Sequence, residues 1–137
     1  MPALEIDVIR TLDGVVLCSH NFDLERKTDY DGYIDELPYA RIEDANTALS
    51  WNSKREGLPK LEDVLKIVPK HVRLNIEIKS RSFHDVSLVR DVIKLIKGKN
   101  FINRTIISSF NPLVLWYVKW INPVSYTHLT LPTTPYV

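Results

Sequence analysis

LEIDVIRTLDGVVLCSH, residues 4–20, is the stretch whose reading decides the fold. Leu4, Ile6 and Val8 alternate with Glu5 and Asp7, the period of a half-buried strand over residues 4–10. Asp13-Gly14 is a strong hairpin signal, because both residue types tolerate positive φ. Residues 15–20 then form a second strand. With a two-residue loop, Leu12 pairs with Val15 and Asp7 stands across from His20, at the roughly 4.5–5.5 Å of cross-strand neighbours. Glu5, Asp7 and His20 then share one face of one hairpin. A longer turn would slide that register. Two carboxylates on one strand face repel each other, so the arrangement asks for a compensating charge.

Outward from this hairpin, residues 21–57 are polar and irregular, with one or two helical turns around residues 35–46. Gly57-Leu58-Pro59 introduces a short helix over residues 60–68, stopped by Pro69. LNIEIK, residues 74–79, alternates again: Leu74, Ile76 and Ile78 on one face, Asn75, Glu77 and Lys79 on the other. Ser82 with Asp85 resembles a capping box. Val86, Val89, Val92, Ile93 and Ile96 recur at helical spacing, and Gly98 is the expected C-terminal cap. Residues 105–110 read as a strand. Asn111-Pro112 then opens a further helix, with Asn as N-cap and Pro at its first position, running to about Ile121. Strands alternating with helices of this length imply βαβ units and a parallel sheet, an α/β fold.

The bulk numbers bound the function. The 137 residues fit one domain, 45% are hydrophobic, 26% are charged, and the net charge is +1. Lys and Arg are spread along the chain, without the basic face that nucleic-acid binding needs. No apolar run reaches the ~20 residues of a membrane span. Acidic residues from Glu5 onward leave no signal-peptide pattern at the start. The single cysteine, Cys18, has no intramolecular disulfide partner.

Three carboxylates on polar strand faces, Glu5, Asp7 and Glu77, suggest a hard divalent cation such as Mg²⁺ or Ca²⁺, which takes oxygen ligands. The ion's charge would offset the repulsion. Lys79 would supply a point charge for a phosphate oxygen, and His20 a proton-transfer group. Each piece alone also fits a solvated strand face or a structural histidine; their combination points to one reaction centre. His71, His84 and His128 lack such partners and read as surface or loop residues.

Four segments, ALEIDVIRTLDGVVLCSHN, GLPKLEDVLKIVP, LNIEIK and RTIISSFNP, together resemble the glycerophosphodiester phosphodiesterase family in order and spacing. The resemblance covers most of residues 1–123 and implies part of a TIM (β/α)8 barrel, of the kind shared with phosphatidylinositol-specific phospholipases C. It implies that Glu5, Asp7 and Glu77 are metal ligands, His20 is one of two acid/base histidines, and Lys79 contacts the phosphate. The implied reaction is metal-dependent hydrolysis of a small-molecule glycerophosphodiester to glycerol 3-phosphate and an alcohol. Two other readings stay open: a related lipid phosphodiesterase (a phosphatidylinositol-specific phospholipase C or a sphingomyelinase-D-like enzyme), and a non-catalytic binding barrel.

The chain also departs from the family. Asn21 stands where the family usually has Asp, and Lys60 where it often has Thr or Ser. The family's His-Arg-Gly strand, its Glu-Asn-Thr segment and its later Thr-Asp segment have no counterpart in this sequence, and a TIM barrel needs about 250 residues. The expectation is therefore a half-barrel, inactive and prone to associate when alone, because it leaves strand edges and apolar helix faces uncovered. The Thr/Pro-rich run VSYTHLTLPTTPYV, residues 124–137, breaks the pattern of the family. Back-translated, its first part resembles a transposase library adapter, so these residues are expected to be a non-native tail beyond a domain of residues 1–123.

Overall fold

The computed structural model describes residues 2–48, 56–122 and 126–129. Five strands form one sheet in the order β2-β1-β3-β4-β5: β1 (Ala3–Arg10), β2 (Val16–Cys18), β3 (Arg73–Ile78), β4 (Thr105–Ser109) and β5 (Tyr126–Leu129). Of the strand pairs among the described residues, β1–β2 is antiparallel, and β1, β3, β4 and β5 run parallel. Helices α1 (Leu61–Ile67), α2 (Ser87–Gly98) and α3 (Pro112–Ile121) make the crossovers. The expected βαβ units are therefore present.

One face of the sheet is apolar because the strand period is two. Ile6, Val8, Leu74, Ile76, Ile78 and Ile107 are buried there against Leu61 and Leu65 of α1, the Leu88–Ile96 stripe of α2, and Val114 and Val118 of α3. The opposite face is polar at its centre. Beyond the centre it is capped by a second cluster, Ile9, Leu17, Leu24, Ile34 and Ile42. This cluster orders residues 21–48, whose regular structure is two 3-10 turns, Ile34–Glu36 and Tyr39–Arg41, and a bridge between Asp23 and Tyr33. On α3, Leu113, Trp116 and Trp120 are exposed, an uncovered apolar helix face of the kind expected for a half-barrel.

Several local expectations are corrected. The hairpin loop holds three residues, not two: Val8 pairs with Cys18 and Arg10 with Val16, and the Thr11 N–H donates to the Val15 carbonyl at 2.9 Å. Thr11 is the cause. Its hydroxyl accepts from the Val15 N–H at 2.9 Å and donates to Asp13 Oδ1 at 2.7 Å, which closes the longer loop with Gly14 at φ 95°. The second strand is only three residues long. At α2 no capping box forms: Val86 is the N-cap, and the Asp85 carboxylate accepts from the Ser87 N–H at 2.8 Å. Gly98 is the last helical residue rather than the cap. Asn100, at φ 61°, takes the left-handed position, with Phe101 N–H donating to Ile96 O and Asn100 N–H to Lys97 O, a Schellman motif. The Asn111 cap of α3 forms as read, its Oδ1 accepting from the Leu113 N–H at 3.0 Å. His71, His84 and His128 are exposed, as read, His128 on β5.

Candidate metal centre

Parallel pairing of β1 with β3 sets Glu5 beside Asn75 and Asp7 beside Glu77. Paired residues of neighbouring strands point to the same face, so all four side chains rise on the polar side. Glu5, Asp7 and Glu77 each place a carboxylate oxygen within 4.8 Å of the others. At that separation, like charges repel by roughly 3 kcal/mol per pair at an effective dielectric near ~20. The exposure is graded: Glu5 is exposed, Asp7 half-buried, and Glu77 only 6% exposed.

Two buried oxygens of this cluster, Asp7 Oδ1 and Glu77 Oε1, have no hydrogen-bond partner. A buried acceptor without a donor costs about 1–3 kcal/mol or more when charged. Lys79 Nζ stands 3.3 Å from Glu77 Oε1, an ion-pair separation without hydrogen-bond geometry. Glu77 titrates above the usual carboxylate range. Burial is the main cause, Lys79 opposes it, and Asp7 adds to it. An all-oxygen set of three carboxylates with unsatisfied lone pairs fits a hard divalent cation. Glu5, Asp7 and Glu77 are the residues that would hold it.

His20 reaches the cluster although the register differs from the expected one. The chain leaves β2 with the Ser19 N–H donating to the Asp7 carbonyl at 3.0 Å, and His20 Nδ1 then lies 2.6 Å from Asp7 Oδ2. A carboxylate oxygen accepts, so Nδ1 is the protonated nitrogen of that contact and Nε2 is left for proton transfer. Asp7 thus divides its two oxygens between the imidazole and the cluster. Lys79, with a side chain 13% exposed, sits at the exit of β3 and 5.1 Å from the Phe110 ring centre. All five expected residues therefore meet at one place on the polar face.

Two neighbours were not foreseen. Ser108 of β4 donates to Asn75 Oδ1 at 3.0 Å and extends the polar row Asp7, Glu77, Ser108 toward His128 in register. Arg81 binds Asp35 and Glu36, 46 and 45 residues away in sequence. No local signal links residues so far apart. Only the position of Arg81, two residues beyond Lys79, hints at the site.

Among the described residues no helix is long and apolar enough to cross a membrane. The model of the glycerophosphoryl diester phosphodiesterase family matches residues 2–136. A curated glycerophosphodiester phosphodiesterase of Caldanaerobacter subterraneus subsp. tengcongensis is 32% identical over 123 residues, covering 88% of this chain and 51% of that protein. Among solved structures, an Oleispira antarctica phosphodiesterase in complex with its product sn-glycerol-3-phosphate superposes with TM-score 0.85 at 23% identity, covering 98% of this chain and 56% of that one. A glycerophosphodiester phosphodiesterase of Parabacteroides distasonis gives TM-score 0.77 at 27% identity, with coverages of 91% and 50%. The chain spans about half the length of the curated relatives it matches. Its fold is accordingly part of a TIM barrel.

Proposed function

The chain belongs to the glycerophosphoryl diester phosphodiesterase family, and from that premise we propose that its polar sheet face serves the hydrolysis of glycerophosphodiesters to glycerol 3-phosphate and an alcohol. Glu5, Asp7 and Glu77 hold one divalent cation, Mg²⁺ or Ca²⁺. When bound, such an ion polarises a phosphate oxygen and offsets the negative charge added in the transition state. Lys79 orients the phosphate by pairing its ammonium with an oxygen. Glu77, 3.3 Å away, holds that ammonium in place. His20 moves a proton at Nε2, while Asp7 fixes the ring through Nδ1. In the reaction water adds to phosphorus, the bond to the alcohol oxygen breaks, and a proton reaches the leaving oxygen.

The observation that carries this reading is a group of three converging carboxylates in which two buried oxygens, Asp7 Oδ1 and Glu77 Oε1, accept no hydrogen bond and, among the described residues, Lys79 is the one cation paired with them. Calorimetric titration of the chain with Ca²⁺ and Mg²⁺, then with glycerol 3-phosphate, tests it. One ion per chain is expected, lost on Glu77→Gln. Glycerol 3-phosphate should bind only with the ion present, and Lys79→Ala should weaken it by about 10- to 100-fold, the worth of one charged hydrogen bond. Ion binding indifferent to both Glu77→Gln and Asp7→Asn would overturn the reading. Turnover of glycerophosphocholine by this chain should be negligible, since the family reading calls for two acid/base histidines and, among the described residues, His20 alone contacts the cluster.

A further inference from the structure

The strand exit that carries Lys79 is tied to the segment that follows His20 by one side chain. Arg81 Nε donates to Asp35 Oδ2 at 2.8 Å and Nη2 to Asp35 Oδ1 at 2.6 Å, the two-pronged match of guanidinium and carboxylate. Nη2 also reaches Glu36 Oε1 at 2.8 Å. The guanidinium carbon lies 4.2 Å from the Tyr33 ring centre and 5.7 Å from that of Phe22. Phe22 is two residues beyond His20, as Arg81 is two beyond Lys79. The acceptors are not on a loose loop: Ile34, between Tyr33 and Asp35, is buried with Ile9, Leu17, Leu24 and Ile42. On the other side, the Lys79 N–H donates to Val8 O at 3.0 Å and the Ser80 hydroxyl to Ser82 O at 3.0 Å. A cavity of about 150 Å³ adjoins the clasp, where Phe22, Asp35, Lys79 and Ser80 meet the hairpin end at Thr11 and Leu12.

We propose that Arg81 is a positioning residue: its clasp on Asp35, Glu36 and Tyr33 fixes the loop leaving Lys79 against the segment leaving His20, and so shapes the mouth that receives the phosphate of glycerol 3-phosphate. The inference rests on the phosphodiesterase reading for its ligand. An isolated surface ion pair does little. This one differs in geometry, because it is bidentate, stacked on an aromatic ring and anchored at both ends beside the site. Its one positive charge also offsets part of the negative charge of Asp35 and Glu36.

The test compares the full chain with Arg81→Ala, Arg81→Lys and Asp35→Asn, each checked for cooperative unfolding. Calorimetry with Ca²⁺ and then glycerol 3-phosphate is paired with NMR relaxation of the backbone amides. Arg81→Ala should leave Ca²⁺ affinity within about twofold but weaken glycerol 3-phosphate by about tenfold. Arg81→Lys should recover only part of that loss, since an ammonium cannot form the fork. Residues 79–83 and 33–36 should become mobile together in Arg81→Ala and Asp35→Asn. If Arg81→Ala does not fold, Asp35→Asn carries both readouts. Unchanged ligand affinity in a folded Arg81→Ala, full rescue by Lys, or loops that stay rigid or loosen independently would each overturn the inference. A wild-type chain that binds Ca²⁺ but not glycerol 3-phosphate would sink the functional reading and the ligand half of this one, while the amide relaxation still decides the clasp.

Discussion

Two arginines clasp the two ends of the parallel sheet, and they do so with different partners. At the entry of β4, Arg104 stacks on Phe101 at 4.1 Å and the two hydrogens of its Nη1 are shared among the carbonyls of Pro69, Lys70 and Val72. At the exit of β3, Arg81 stacks on Tyr33 and donates to the carboxylates of Asp35 and Glu36. The lower clasp takes backbone oxygens, which any sequence supplies, and secures the α1–β3 turn. The upper clasp takes side-chain carboxylates, which this sequence had to supply, and it borders the carboxylate cluster. Parallel α/β barrels divide their labour this way, with stability at the strand entries and chemistry at the exits. The lower arginine should therefore matter to folding and the upper one to binding.

The strand between them sets the scale. Ile76 is fully buried at the centre of β3. Ile76→Ala should cost about 2–5 kcal/mol in denaturant unfolding, enough to lose both ends together. An intact glycerol 3-phosphate site in a chain so destabilised would show that the upper end folds independently of the sheet.

A thiol at the level of the site gives the next largest effect. Cys18, opposite Val8, is pushed by burial up to about 11. Two pKa units leave about 100-fold less thiolate than in the unfolded chain, so alkylation by iodoacetamide at pH 8 should slow by about that factor. The folded thiol holds its proton to higher pH than the unfolded one. Its stabilising contribution is thus full below about pH 9 and fades as pH rises toward about 11. Fast alkylation of the folded chain would mean that β2 opens readily and the upper end is not held.

Arg104→Ala should cost about 1–2 kcal/mol of stability, through three carbonyls returned to water, with Ca²⁺ and glycerol 3-phosphate affinity unchanged. A loss of ligand affinity equal to that of Arg81→Ala would erase the contrast between the two ends.

Much of the lower end and of the site was legible in the sequence; the cover over the site was not. The alternation in LEIDV and LNIEIK placed five side chains on one face, because strand period is a local property. Asn111-Pro112 marked a helix start for the same reason. The hairpin register was misread because Asp13-Gly14 suggested a two-residue loop, while the Thr11 hydroxyl closes a longer one. His20 still met Asp7, because β2 ends at Cys18 and His20, outside the strand, is not bound to its alternation of faces. The second cluster escaped because Leu24, Ile34 and Ile42 follow neither the helix nor the strand period. We propose that residues 124–137 are fused, non-native sequence even though Tyr126–Leu129 pairs with β4 and the family match runs to residue 136. An exposed edge accepts a strand through its backbone, which asks little of side chains. Codons over residues 124–134 unlike the adapter would end that proposal.

The smallest effect tests the lower end by strengthening it. Gly98 closes α2, and a Cβ built there meets nothing within 4 Å. Its φ is not in the left-handed region, which Asn100 occupies instead. Gly98→Ala therefore removes unfolded-chain entropy without strain and should stabilise the chain by about 0.5–1 kcal/mol. The α2 C-terminus leads directly into Phe101, the ring under Arg104, so the gain falls on the same end as the lower clasp. Thermal unfolding should shift upward while glycerol 3-phosphate affinity stays put. A change in that affinity would mean the strand entries and exits are coupled through α2, and that stability and binding are not separable along this sheet.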